Sequence, residues 1–287
     1  MALPTADTVV TYPTGATTSS GTVLHVSQAP DGATVVLLDV TAAHPVDSAW
    51  PDQPADRGEL IVDGTALQLI DCVVGATDGS ELFLGGDIPV RKGTDGWAFV
   101  VAHLVDGAVA EGASAEVRVD AAYRHALSAG HTGCHLASLA LNAQLAGAWT
   151  KEVSPDSLGH PNFDALAIEV STITEFGSVD VYRIGKSLRK RGFVPAALVD
   201  ALADVVAGAN AQLEEWRATG AAVQIVREGE GLTARREWRC DLPGHPVSIP
   251  CGGTHLANLG ELDGLSVALE VTELDGAVEL RMSTTAG

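Results

Sequence analysis

The sequence changes its pattern near Asp120, and this change constrains the fold more than any other feature. The first 120 residues contain short runs rich in Val and Leu, each bounded by Gly, Asp or Pro, which predicts strands separated by turns. The predicted strands are at residues 21–27, 33–40, 59–62, 66–74, 81–84, 97–104 and 115–119. Many short strands without a helical period are typical of a β-barrel or a sandwich.

After Asp120 the sequence predicts a mixture of helices and strands. Residues 121–148 are rich in Ala and Leu and contain no Pro, which predicts a long helix. A second helix is predicted over residues 195–216, because Pro195 stands in its first turn and Gly220 follows its end. Further strands are predicted at residues 165–173, 179–184, 222–227, 237–241, 266–271 and 277–282. This half of the chain is therefore expected to be α+β.

One stretch interrupts the strand pattern of the first half. Residues 41–56 contain three prolines and are expected to form a long loop. Long loops inside compact domains are uncommon and are often functional.

The charge of the chain is strongly acidic, with 17 Lys and Arg against 37 Asp and Glu and a formal net charge of −20. A field of that sign repels nucleic acid, whose binding depends on phosphate contacts. However, a local group of cations consists of Arg183, Lys186, Arg189, Lys190 and Arg191. On charge alone, a solvated surface is the simpler interpretation of this group, and a nucleic-acid contact is the alternative.

The chain has four cysteines and shows no secretory signal, which predicts a protein of the reducing cytoplasm. It has no apolar run of about 20 residues, so no membrane segment is expected. In that compartment a thiol is expected to be buried, reactive or bound to metal.

Two short segments, far apart in sequence, have the spacing of metal ligands. His131 and His135 are four residues apart, so a helix places both imidazoles on one face. Cys251 and His255 flank a double glycine that permits a tight turn. Three His and one Cys are a suitable set for tetrahedral Zn(II). Cys134, between the two helical histidines, is expected to be a small buried apolar residue.

These segments belong to longer motifs. Asp120 to Arg124 lead into His-Thr-Gly-Cys-His-Leu at 131–136, and residues 250–261 read Pro-Cys-Gly-Gly-Thr-His-Leu-Ala-Asn-Leu-Gly-Glu. In the first half of the chain, residues 38–41 and 53–58 also follow a recognisable motif pattern. With these motifs the chain resembles the editing domain of alanyl-tRNA synthetase and its stand-alone relatives over essentially its whole length. No aminoacylation domain is included in the similarity.

The resemblance implies an N-terminal β-barrel over residues 1–115, an α+β editing domain over 116–287, and hydrolysis of the ester in a mischarged aminoacyl-tRNA. His131, His135, Cys251 and His255 would hold Zn(II), which would either position the ester or activate the attacking water. Thr254 is a candidate for contact with the substrate or the water, with a plain turn residue as the alternative. Gln53 and Gly253 are candidates for substrate binding, and Lys186, Arg189, Lys190 and Arg191 for tRNA binding. Aminoacyl-tRNA is the implied partner, no nucleotide cofactor is indicated, and the oligomeric state is not indicated.

The loop of residues 41–56 departs from the family pattern. Relatives have a Gly-rich loop before the Gln of the barrel, whereas this chain has a longer segment without glycines that contains His44 and Trp50. Because glycines permit close backbone approach to a ligand, their loss predicts a reshaped acyl pocket that His44 and Trp50 would contact. One specialised branch of the family edits fluorothreonyl-tRNA, and this substrate is the favoured prediction, with Ser or Gly on tRNA(Ala) otherwise.

Two other functions stay open at this point. The net charge of −20 is compatible with a metal-dependent hydrolase of a small non-tRNA ester or amide. The altered loop is compatible with a non-catalytic tRNA-binding module that contains a structural zinc. Hydrolysis of charged tRNA, compared with that of the free amino-acid ester, separates the editing enzyme from the small-molecule hydrolase.

Overall fold

A computed structural model describes residues 2–287 as a mixed α/β protein with several antiparallel sheets. The α-helices in this range are α1 Ala121–Gln144, α2 Phe163–Ala167, α3 Lys186–Lys190, α4 Pro195–Val199 and α5 Leu202–Ala218. The strands in this range are β1 Val9–Val10, β2 Thr18–Gln28, β3 Thr34–Leu38, β4 Val40–Thr41, β5 Gly58–Val62, β6 Thr65–Thr77, β7 Leu82–Leu84, β8 Ala98–Val105, β9 Ser114–Val119, β10 Ile168–Thr174, β11 Gly177–Ile184, β12 Val223–Arg227, β13 Arg236–Cys240, β14 Val247–Pro250, β15 Ser266–Leu274 and β16 Ala277–Thr285. Across residues 2–287, none of the helices is both long enough and apolar enough to cross a bilayer.

The chain forms two compact units that alternate along the sequence. The first contains the residues up to His125 together with Ile225–Arg236 and Gly252–Thr254. The second contains Ala126–Gln224, Glu237–Cys251 and His255–Gly287. The boundary expected between residues 115 and 116 stays a prediction.

The first unit contains a seven-stranded sheet in the order β5-β9-β2-β3-β8-β6-β7, in which β5 also pairs with β6. Its pairings are antiparallel. Each of the seven runs predicted as strands contributes a strand to this sheet. The run at 33–40 divides into β3 and the short β4, and β4 pairs instead with β1. The aliphatic side chains pack into a core that includes Val36, Leu38, Leu60, Val101 and Val117, as period-2 burial of Val- and Leu-rich strands requires.

The second unit is built on a four-stranded antiparallel sheet in the order β10-β11-β16-β15. The helix predicted over 121–148 is confirmed as α1, which ends at Gln144 and is followed by a 3-10 turn at Ala146–Ala148. Strands β13 and β14 form an antiparallel hairpin in which Glu237 pairs with Pro250. The short strand β14 was not predicted from the sequence.

The strand predicted at 165–173 is wrong over its first three residues. Phe163–Ala167 is helical, and β10 begins only at Ile168. The cause is Asn162, the N-cap residue, whose side chain accepts a hydrogen bond from the Ala165 N–H. An N-cap bond of this kind favours a helical turn at the residues that follow.

The single helix predicted over 195–216 is also wrong, because the structure divides it. Helix α4 ends at its C-cap Asp200, whose N–H donates to the Ala196 carbonyl. The backbone leaves the helical conformation at Ala201, with φ −115° and ψ 19°, and α5 begins at Leu202. No Gly or Pro marks this break in the sequence.

Candidate metal centre and substrate loop

Helix α1 and the segment after β14 position the four residues that have metal-ligand spacing. His131 and His135 lie one helical turn apart on α1, and Cys251 directly follows the last residue of β14. The chain after His255 is anchored where the Val223 N–H donates to the Ala257 carbonyl. These four residues form one group whose ligand atoms all lie within 4.8 Å of one another, and this group could bind a metal ion.

Two of the distances within this group match those of a tetrahedral ligand set. Cys251 Sγ lies 3.5 Å from His131 Nε2 and 3.2 Å from His255 Nε2. Ligands bound at about 2.0–2.3 Å to one tetrahedral ion are separated from each other by roughly 3.3–3.7 Å. The Nε2 atoms of His131 and His255, rather than their Nδ1 atoms, therefore point into the group.

Burial keeps the two helical histidines in the form that binds metal. It lowers the pKa of His131 to about 3 and that of His135 well below its usual value, with the neighbouring His131 contributing to the latter. Both imidazoles are thus neutral at pH 7, as metal ligation requires. Within residues 2–287, His135 Nε2 is buried and has no hydrogen-bond partner. A buried polar atom without a partner is costly unless a ligand satisfies it, so these residues fit a metal ion.

Cys134 is buried as predicted, but its environment is polar. Its thiol lies 3.6 Å from both carboxylate oxygens of Asp180, which also accepts hydrogen bonds from Ser171 and Ser178. Burial, together with the Asp180 charge, raises the pKa of this thiol well above its usual value. Cys134 is therefore protonated at neutral pH and is unsuited to metal ligation.

Trp238 forms an apolar wall beside the metal-ligand group, and no sequence pattern indicated this role. Its indole is completely buried, with its centroid 5.1 Å from that of His135 and 5.9 Å from that of His255. It lies on β13, in the hairpin whose other strand precedes Cys251.

In the first unit, Gln53 and Thr254 are brought together across 201 positions of sequence. The Gln53 Nε2 donates to the Thr254 hydroxyl at 2.9 Å, and the Thr254 N–H donates to Gln53 Oε1 at 3.0 Å. Both residues are buried. Since the backbone N–H requires an acceptor, this pairing fixes the orientation of the Gln53 amide. The pairing also restrains Thr254, which directly precedes His255 in the chain.

The loop between β4 and β5, residues 42–57, is closed at its base by a buried ion pair. The Asp56 carboxylate accepts hydrogen bonds from the Arg124 guanidinium and from the His44 backbone N–H. His44 is buried with its ring edge-on to Tyr12, at a centroid distance of 5.0 Å, whereas Trp50 at the tip is 57% exposed. Of the two side chains that distinguish this loop from the family pattern, His44 is therefore packed and Trp50 is accessible.

The cations proposed for tRNA binding lie on and next to α3. Lys186, Arg189 and Lys190 belong to this helix, Arg191 is its C-cap, and all four are exposed. Arg189 donates to the Gly276 carbonyl, and the Lys151 Nζ donates to the Lys190 carbonyl. A third lysine, Lys151, therefore joins this basic surface.

Fold and site together define a mixed α/β protein with a three-His, one-Cys group that could bind a metal ion. Among curated proteins, the chain is similar to the alanine–tRNA ligase of Gluconobacter oxydans, with 25% identity over 242 residues, which is 84% of this chain and 24% of the relative. That of Cereibacter sphaeroides is 27% identical, over 76% of this chain and 22% of the relative. The chloroplastic/mitochondrial alanine–tRNA ligase of Micromonas pusilla is 28% identical, over 85% of this chain and 23% of the relative.

This distant similarity supports a relationship to the alanine–tRNA ligases. The chain spans about a quarter of the length of the curated relatives it matches. No family model matches the chain.

Proposed function

We propose that this protein is a metal-dependent aminoacyl-tRNA deacylase that acts in trans on mischarged tRNA in the cytoplasm. One observation carries the proposal: two distant motifs bring their ligand atoms together in one group. These atoms belong to His131, His135, Cys251 and His255. The similarity to alanine–tRNA ligases over most of the chain supports tRNA as the partner.

The ion proposed for this group is Zn(II), because neutral imidazoles and one thiolate are its preferred ligands in a tetrahedral site. When bound, zinc supplies Lewis acidity, which polarises a carbonyl or lowers the pKa of a water molecule. Because four protein ligands are available, either one of them would exchange or the ion would orient the substrate rather than activate the attacking water.

Thr254 is proposed to contact the substrate or the attacking water. Its hydroxyl accepts a hydrogen bond from Gln53. Because Gln53 also accepts from the Thr254 N–H, the hydroxyl has a fixed direction before any substrate arrives. Such preorganisation lowers the reorganisation needed during reaction. Gly253, the preceding residue, is buried and is proposed to lie against the substrate.

The first unit is proposed to be a barrel, closed where β5 pairs with β6 as well as with β9. The loop that connects β4 to β5 would then shape the pocket for the amino acid, with His44 and Trp50 as its specificity residues. A threonine analogue such as fluorothreonine is the proposed acyl group, and Ser or Gly on tRNA(Ala) is the second choice. A dedicated hydrolase is reasonable because pocket contacts separate close analogues by only about 1–3 kcal/mol.

A deacylation panel tests this function. Ser-, Gly-, Ala-, Thr- and fluorothreonyl-tRNA are each compared with the matching free amino-acid ester, using zinc-loaded protein. Rapid hydrolysis of one charged tRNA, and slow hydrolysis of its ester, is the expected result. Equal hydrolysis of ester and tRNA would indicate the small-molecule hydrolase that the acidic charge permits, and no hydrolysis of either would indicate a binding module.

The role of the loop is tested by His44→Ala with Trp50→Ala in the same panel. We expect the preference among acyl groups to change while the most reactive tRNA is still hydrolysed. An unchanged order of preference would show that these side chains do not contact the amino acid.

A further inference from the structure

Thr132 lies on α1 between the two histidine ligands and is completely buried. Its hydroxyl oxygen accepts a hydrogen bond from the Leu256 N–H at 3.2 Å and lies 3.3 Å from His255 Nδ1. The residue therefore connects the helix that carries His131 and His135 to the segment that carries His255.

The two nitrogens of His255 face different groups. Nε2 lies 3.2 Å from Cys251 Sγ, among the other ligand atoms, and Nδ1 faces Thr132. A neutral imidazole carries one proton, and the nitrogen that binds a metal must be the one without it. For Nε2 to bind, the proton must be on Nδ1, and this N–H then needs an acceptor.

Thr132 can supply that acceptor. A hydroxyl oxygen has two lone pairs, one of which receives the Leu256 N–H while the second is available to His255 Nδ1–H. Ligating histidines in metal sites commonly donate their second N–H to such a partner, which fixes the tautomer and the ring orientation.

We propose that Thr132 is a positioning residue of the metal centre, which holds His255 in the tautomer that presents Nε2 to the ion. The inference rests on the metal site of the proposed function, but it does not depend on the identity of the substrate. It also gives a physical reason for a threonine at this position of the His-Thr-Gly-Cys-His segment.

The test measures Co²⁺ binding and the absorption spectrum of the bound ion in four proteins. Thr132→Val preserves the shape of the side chain and removes the acceptor, while Thr132→Ser keeps the acceptor. Thr284→Val is the matched control, because Thr284 is another buried threonine of the same unit and its hydroxyl has no partner within residues 2–287. Circular dichroism of the metal-free proteins checks that each variant is folded.

We expect Thr132→Val to weaken Co²⁺ binding by about 10- to 100-fold, the usual effect of losing an outer-shell partner, and to alter the ligand-field bands. Thr132→Ser and Thr284→Val should resemble the wild type. Wild-type affinity and an unchanged spectrum in Thr132→Val would overturn the inference and leave the metal centre intact. If Thr132→Val does not fold, weak binding by Thr132→Ser would overturn it. Wild-type protein that binds no Co²⁺ would overturn the metal centre itself, and this inference with it.

Discussion

At the scale of single residues, the Gln53–Thr254 pair gives a direct test of how the Cys251–His255 segment is held. Gln53→Leu removes both hydrogen bonds and leaves the buried Thr254 N–H without an acceptor. An unsatisfied buried group costs about 1–3 kcal/mol, so the free energy of unfolding should fall by that amount. Deacylation should slow at the same time, because the Thr254 hydroxyl loses its fixed direction.

Urea unfolding and single-turnover hydrolysis measure the two effects. Thr254→Ser keeps the hydroxyl and the N–H and serves as the control, which should stay close to wild type in both assays. Full activity in a destabilised Gln53→Leu protein would assign the pair to the fold alone.

His103 gives a prediction for pH dependence. It is completely buried, with Nδ1 against the Val36 carbonyl and Nε2 bonded to the Thr41 hydroxyl, and burial lowers its pKa to about 4. The unfolded chain, with a histidine pKa near 6.5, binds the proton more readily between these values. Stability from this group is therefore complete above pH 6.5 and is lost as the pH falls toward 4.

The complete loss of this contribution from His103 lowers the free energy of unfolding by about 3 kcal/mol. Unfolding free energies measured from pH 7 to pH 4 for wild type and His103→Gln should show a steeper fall in the wild type, because the variant has no titrating group here. Identical pH profiles would contradict the assigned pKa.

Spacing in the sequence, together with the family resemblance, singled out the four residues that form a group able to bind a metal ion. Two of them are four apart on a helix and so must share a face. Spacing could not predict partners such as Asp56 and Arg124, or Thr132 and His255, whose contact depends on how distant segments pack. Trp238 belongs to the same category, since nothing local distinguishes it from an ordinary core residue.

At the scale of secondary-structure elements, the approach of α1 to the turn between β10 and β11 is set by Gly130. A Cβ at this position would lie 2.4 Å from the carbonyl oxygens of both Thr174 and Gly177. These are backbone atoms, so they cannot move aside as a flexible side chain would. Gly130 therefore allows the helix that carries His131 to pack closely against the sheet.

We expect Gly130→Ala to destabilise the protein by about 1–3 kcal/mol through overpacking, although Ala is the better helix former. Gly147→Ala is the matched control, because a Cβ there meets nothing within 4 Å. Thermal unfolding of the two variants measures the difference. An equal or higher melting temperature for Gly130→Ala would contradict the close packing.

The elements themselves were predictable where one periodicity applied over the whole segment. The strands of the first half and helix α1 satisfy this condition. The errors occur where a short local interaction overrides the pattern, at the Asn162 cap that begins α2 and at Ala201 between α4 and α5. The two-residue strand β1 is stabilised by pairing with β4 and carries too few residues to show a period.

At the scale of the whole molecule, a net charge of −20 requires that any contact with tRNA be made through a local basic surface. The exposed cations on and beside α3 are the proposed surface. Replacing Lys186, Lys190 and Arg191 with Gln should weaken binding and reduce the slope of log affinity against log salt by about 2, since each phosphate contact contributes roughly 0.7–0.9.

Arg239→Gln is the control, because this exposed arginine pairs with Glu237. It should leave both the affinity and the salt slope unchanged. A triple variant with the wild-type slope would show that tRNA binds elsewhere.

The most direct test of the account is single-turnover hydrolysis of the preferred aminoacyl-tRNA by wild type, Cys251→Ala and His245→Ala. His245 is exposed and lies outside the metal-ligand group, so it controls for loss of a histidine. We predict that Cys251→Ala slows hydrolysis by more than about 100-fold, since outer-shell partners alone contribute 10- to 100-fold, and that His245→Ala keeps the wild-type rate. Hydrolysis by Cys251→Ala at the wild-type rate would contradict the proposal that this metal centre supports deacylation.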